Sequence, residues 1–222
     1  MMGWIEPIPF LRRLGVSLLL IALMSGCVTT GDGLPVLSGA AEQRIRSSEA
    51  LLRQLPACAI VMPSIGAVPP GGAGMIERIV ARHFAQRLPR LIGSPERRAL
   101  ARAGAYNLSD PIDRGRFARM LSCRHGLEIT VHAAGISYVV AWAGRHVDLT
   151  LTLFRFNDEE VLWSARHGLD RSAGGLPTGP LSLVLDTVRA SVFASDRDGT
   201  EALVEDVVRQ VAQTFPDLRQ IQ

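Results

Sequence analysis

Three strand-like segments, LEITVHAAGISYVV (127–140), HVDLTLTLFRF (146–156) and VLWSARHGL (161–169), are separated only by AWAGR and NDEE. In the second, Val147, Leu149, Leu151 and Leu153 alternate with Asp148, Thr150 and Thr152, which is the period of a strand with one buried face. Connections this short join antiparallel neighbours, because a parallel crossover needs a dozen residues or more. The three segments therefore predict an antiparallel meander. If Phe156 pairs with Val161, Phe154 lies opposite Trp163 on the face away from Leu149, Leu151 and Leu153.

The rest of the chain supplies helices and one further strand. Cys58–Met62 is short and apolar, as a buried strand would be. After a glycine-rich loop, Ile76, Ile79, Val80, Phe84 and Leu88 share one face of a helix that runs to Pro89. Ser94-Pro95-Glu96 starts another helix, with Ser94 as cap and Pro95 in the first turn. A further helix is predicted over 111–124, with Phe117, Met120 and Leu121 inward and His125-Gly126 closing it. Upstream, Ser38 caps a helix in which Ala41, Ile45, Ser48, Leu52 and Leu55 recur at helical spacing, ended by Pro56. Downstream, Leu181, Val184, Leu185, Val188 and Val192 form one helical face. Asp198 and Glu201 form a capping box for a last helix that buries Leu203, Val204, Val207, Val208 and Val211. The fold class this predicts is α/β of the α+β kind: a single mixed sheet of about four strands, three of them the antiparallel meander, flanked by helices.

The amino terminus sets the location. Arg12 and Arg13 precede an apolar run from Leu14 to Met24, and Ser25 and Gly26 lead into Cys27, the layout of a bacterial secretion signal. The run is shorter than the roughly 18 apolar residues of a spanning helix. Met24-Ser25-Gly26-Cys27 resembles the lipobox of bacterial lipoproteins, with Met24 where Leu is usual. The resemblance implies that 1–26 is a signal peptide and that Cys27 is diacylated on sulfur, palmitate being a typical acyl group, and becomes the mature first residue. Ordinary signal cleavage and a retained membrane anchor are the alternatives. Val28 is not Asp, which implies transfer to the outer membrane, facing the periplasm. Residues 27–37 read as a lipidated Cys and flexible tether, and 38–222 as one periplasmic domain.

Charge and cysteine usage fit that compartment. Without Glu6, Arg12 and Arg13, 22 Arg stand against 20 acidic residues, too even a balance for a nucleic-acid partner. Arg78–Arg124 holds 11 Arg against three acids, whereas 157–206 holds ten acids against four Arg. Either the two stretches pair across one fold or face solvent, or the first forms an Arg-rich face toward an anionic envelope component such as lipid head groups. Apart from Cys27, two Cys remain. Cys58 and Cys123 each precede a predicted strand, and parallel neighbours would bring them together as a disulfide in an oxidising compartment; two buried thiols are the alternative.

Known chemical motifs fail on their residues. Gly66-AVPP-Gly71 has P-loop spacing, but Gly72 and Ala73 replace the Lys and the hydroxyl, and Pro69 and Pro70 remove two amide donors. The five His show no metal-ligand spacing, Asp196–Gly199 lacks the downstream bidentate Glu of a calcium loop, and there is no G-x-S-x-G. The sequence predicts no cofactor, no metal and no catalytic residue. Candidate partner-binding residues are Gly71 and Gly72 in the glycine loop, with Tyr138 and Trp142 near the hairpin; Trp142, in a turn, is the leading exposed anchor. Phe154 and Trp163 divide between contact and core.

The strand leading into Pro63, the helix after the glycine loop and the hairpin at Val161–Ser164 resemble a group of envelope proteins sharing one sheet-and-helix domain: curli-assembly outer-membrane lipoproteins, lipoprotein activators of penicillin-binding proteins and the TolB amino-terminal domain. The resemblance spans roughly residues 56–214 and implies a binding or assembly role with no catalytic residues. The expected function is that of a non-enzymatic periplasmic adaptor, membrane-bound through its lipid and holding an envelope protein partner. The alternatives are a subunit of a homo-oligomeric secretion or surface-assembly complex, and a periplasmic enzyme.

Overall fold

The computed structural model describes residues 44–220 except 48, 54, 140, 141, 175–178 and 197, so Cys27, the tether and the predicted helix start at Ser38 lie outside the described residues. In chain order the elements are β1 (Arg44–Ser47), α1 (Glu49–Arg53), β2 (Ala59–Val61), β3 (Ile65–Gly66), α2 (Ala73–Phe84), β4 (Leu91–Ile92), α3 (Ser94–Ala103) and α4 (Pro111–Met120). Then follow β5 (His125–Val139), β6 (Trp142–Arg155), β7 (Val161–Gly174), α5 (Pro180–Ser195) and α6 (Asp198–Gln213).

One mixed sheet of seven strands runs β1-β7-β6-β5-β2-β4, with β3 also on β5. The expectation of about four strands is corrected. The three long strands pair antiparallel in succession, but β1 joins antiparallel outside β7, while β2, β3 and β4 add parallel pairs. The extra strands have two to four residues, too few for periodicity to register. β1 and α1 replace the long helix expected up to Leu55: Ile45 and Leu52 are exposed, and Leu51, off the predicted stripe, is buried.

The meander's register also departs from expectation. Leu153, not Phe154, stands opposite Trp163, and Phe154 pairs with Val161 instead of Phe156, because a bulge at Leu162 absorbs a residue. Trp163 therefore points to the same face as Leu149, Leu151 and Leu153, and packs edge-on against Phe84 and Phe215 at ring separations of 5.7 and 5.1 Å. Phe154 turns to the other face, against Phe156.

Helices cover the faces unequally. On the first face α2 and α6 bury Ile76, Ile79, Val80 and Phe84 with Leu203, Val204, Val207, Val208 and Val211, as their periodicity predicts. On the second, α3 and α4 cover only the parallel end, where Ile60, Ile92, Phe117 and Phe154 form a smaller core. Beyond them this face of the meander is polar, with Arg166 Nε 3.0 Å from Asp148 Oδ1 and Thr152 Oγ1 3.1 Å from Ser164 Oγ.

Several helix ends shift by a residue or more. Gly93 rather than Ser94 occupies the cap of α3, and Ser94 is buried in the first turn. α4 ends at Met120, which is exposed, and Ser122 takes φ 51° before the chain enters β5 at His125, so His125-Gly126 opens a strand and closes no helix. Asp198 is the first residue of α6, and its amide donates to Asp196 Oδ1 at 3.1 Å.

Candidate interaction surface

Cys58 and Cys123 form a disulfide, with Cα atoms 5.3 Å apart and a sequence separation of 65. Both sit one or two residues before parallel neighbours β2 and β5, where Ala59 pairs with His125, so the sheet itself brings the thiols together. His125 is buried beside them, and its Nδ1–H donates to the Cys58 carbonyl at 3.3 Å. Burial pushes the His125 pKa below its usual value; the Cys58 carbonyl opposes this, and Arg155 and Arg124 add to it.

The predicted contact residues are not brought into one site. The loop holding Gly71 and Gly72 follows β3, whose Gly66 pairs with Val131, whereas Trp142 pairs with Val139, about 25 Å further along β5 at strand rise. Gly71 is exposed with φ +73° and open space around it, but Gly72 is buried at the cap of α2, its amide 2.8 Å from the Pro69 carbonyl. Trp142 is corrected from a turn residue to the first residue of β6. It is half-buried, with its ring over Gly144, where an added Cβ would stand 2.6 Å from indole Cη2. Tyr138 pairs through its backbone with Ala143, and its side chain lies outside the described residues. Phe154 and Trp163 are core residues.

The surface that stands out is the helical face read at Leu181, Val184, Leu185, Val188 and Val192, whose direction the sequence left open. The apolar stripe of α5 faces outward: Val184, Leu185, Val188 and Val192 are 60, 52, 54 and 63% exposed, and Leu183 is 39% exposed. Leu181, on the same stripe, lies outside the described side chains. The side toward the sheet carries Ala190, which is fully buried, with Asp186, Thr187, Phe193 and Ala194 half-buried. Periodicity shows that a helix has an apolar side but not which side meets the protein.

Arg145 of β6 fixes this orientation. Its side chain is buried, its Nη2 donates to the carbonyls of Phe193 and Asp196, and its guanidinium carbon lies 4.5 Å from the Phe193 ring centre. A cation on the last carbonyls of a helix complements the dipole there. At the other end Ser182 Oγ accepts from the Gly179 amide at 2.9 Å. That bond caps the first turn from within, so it is Arg145 that ties α5, by its C-terminal end, to the sheet while its Leu and Val side chains stand in solvent. Covering four such half-exposed side chains is worth roughly 1 kcal/mol each.

No protein-family model matches the chain, and no curated protein matches it. Among solved structures it is similar to a PelC dodecamer from Paraburkholderia phytofirmans, at 16% identity and TM-score 0.48 over 78% of this chain and 98% of that one. It is also similar to lipoprotein GNA1162 from Neisseria meningitidis, at 20% identity and TM-score 0.44 over 60% and 95%. A third is the LpoB C-terminal domain from Salmonella enterica, at 13% identity and TM-score 0.35 over 55% and 90%. At these scores the likenesses carry no argument about role.

Proposed function

We propose that this protein is a non-enzymatic envelope lipoprotein, anchored in the outer membrane through an acylated Cys27 and facing the periplasm, that works as a binding or assembly adaptor. The observation that carries the adaptor role is the outward apolar stripe of α5. Arg145 holds the C-terminal end of α5 and Ala190 is fully buried on its sheet side, so the stripe stays in solvent unless an apolar surface of another protein covers it. The signal layout ending in Cys27 supports the anchor, and the Cys58–Cys123 disulfide supports an oxidising compartment.

Val184→Asp/Val188→Asp tests the role, since both positions are exposed and tolerate charge in the free protein. The variant is expected to export, anchor and melt like the parent but to leave a lower-mass particle when membranes are extracted in mild detergent. An unchanged particle mass would refute the adaptor reading. The second reading, a homo-oligomeric assembly subunit, rests on the same stripe meeting its copy; a particle whose mass is an integral multiple of this chain alone would favour it.

A further inference from the structure

The Arg-rich stretch does pair in part across the fold. Arg82 reaches Glu205, and Arg114 lies 3.1 Å from Glu159. A surplus remains beside α3, where Arg97, Arg98 and Arg102 line a pocket of ≈ 600 Å³ together with Pro63, Tyr106 and Leu108.

The base of this pocket is a finished structure. Glu77 and Arg97 are 3% and 2% exposed, with Arg97 Nη2 2.8 Å from Glu77 Oε2. Arg97 Nη1 donates to the Val61 carbonyl, and Glu77 Oε1 accepts from the Ser64 amide at 3.1 Å. Glu77 is therefore engaged by Arg97 and the backbone of the turn after β2. Arg98, its side chain 48% exposed, makes a longer ion pair with Glu77 Oε2 at 3.6 Å, beyond hydrogen-bond range, and keeps its hydrogen-bonding capacity toward the pocket. Exposed Arg102 donates its Nε to the Arg98 carbonyl at 3.3 Å and has no carboxylate partner among the described residues.

Arg78 of α2 does not line the pocket but stands beside Arg98. A Cβ placed on Gly74 would lie 3.5 Å from Arg78 Nη1 and 3.8 Å from Arg98 Nη1, so two guanidinium groups flank one glycine. Like charges converging on a concave surface raise the local anion concentration and are stabilised by a bound anion. Apolar groups share the lining: Ala101 is buried on α3 between Arg98 and Arg102, and the Tyr106 ring is held edge-on to Phe117 at 5.4 Å.

We propose that this pocket binds an organic anion, a phosphate or carboxylate group seated between Arg98 and Arg102 with a short apolar body against Ala101, Tyr106 and Leu108. Arg97 is a positioning residue that fixes α3 against β2. The site goes beyond the adaptor reading and does not depend on it.

Calorimetry on the full chain in non-ionic detergent tests this, with dihexanoyl phosphatidic acid and inorganic phosphate as probes. Phosphatidic acid is expected to bind saturably, one per chain. Arg98→Gln/Arg102→Gln should weaken it by about tenfold or more, as the loss of charge-assisted bonds requires. Arg119→Gln/Arg124→Gln removes the same charge from exposed positions that do not line the pocket and should leave binding unchanged. Displacement by phosphate at comparable affinity would assign the site to soluble anions, and its failure would assign it to lipid-borne ones; either supports an anion pocket. Absence of saturable binding, or equal weakening by both variants at unchanged Tm, would overturn the proposal.

Discussion

Arg145→Met isolates what holds α5 with its stripe outward, because Met keeps the aliphatic stem while removing the guanidinium. Two bonds to the carbonyls of Phe193 and Asp196 are lost, each worth roughly 1.5–3 kcal/mol from a charged donor. The contact over the Phe193 ring removes about 0.5–2 kcal/mol more. Against this, Arg145 Nε is buried with no hydrogen-bond partner among the described residues, and deleting it returns about 1–3 kcal/mol. The balance centres near 4 kcal/mol, or roughly 8–16 °C in Tm for a domain of this size. Thermal unfolding measures the total, and hydrogen exchange locates it: amides from Val192 to Asp196 should lose protection before those of α6. Stability within about 0.5 kcal/mol of the parent, with α5 exchange unchanged, would refute the reasoning.

Cys58→Ser/Cys123→Ser opens a loop of 65 residues and should cost up to about 4 kcal/mol by the chain-entropy model, read from denaturant midpoints with and without reductant. Glu77→Ala strands the buried Arg97 charge and should cost about 3–5 kcal/mol in the same assay, far more than Glu49→Ala at an exposed i,i+4 pair. His125 has a folded pKa below its unfolded value, so the unfolded chain takes up the proton first. Its contribution is present above about 6.5 and is lost as pH falls from there toward the folded pKa. His125→Gln should flatten that part of the stability–pH curve.

The long meander was legible because alternation and loop length both act locally, and 14 residues of β6 leave little room for another reading. Its register was not, since a one-residue bulge at Leu162 is set by how Trp163 packs between Phe84 and Phe215, which no local pattern encodes. The disulfide was legible for a related reason: two cysteines leading into adjacent parallel strands are positioned by the sheet. α5 shows the opposite case. Its stripe was visible, but its direction depends on Arg145, about 50 residues upstream, reaching the carbonyls at its end. Trp142 was misplaced because AWAGR, between two apolar runs, reads as a short turn, whereas the strands run on through it and Gly144 is the flat surface on which the Trp142 ring lies. The pocket could have been suspected from Arg97-Arg98 and Arg102 one helical turn apart, but which of the three takes the short bond to a carboxylate is decided by Glu77 on another helix.

A photoreactive residue at Val188 in living cells, compared with one at Arg119, tests most directly whether the α5 stripe is a docking surface. The account predicts one discrete protein adduct from Val188, none from Arg119, and loss of the adduct when Val184 is changed to Asp. Capture of lipid alone at Val188, or equal adducts from both positions, would contradict it.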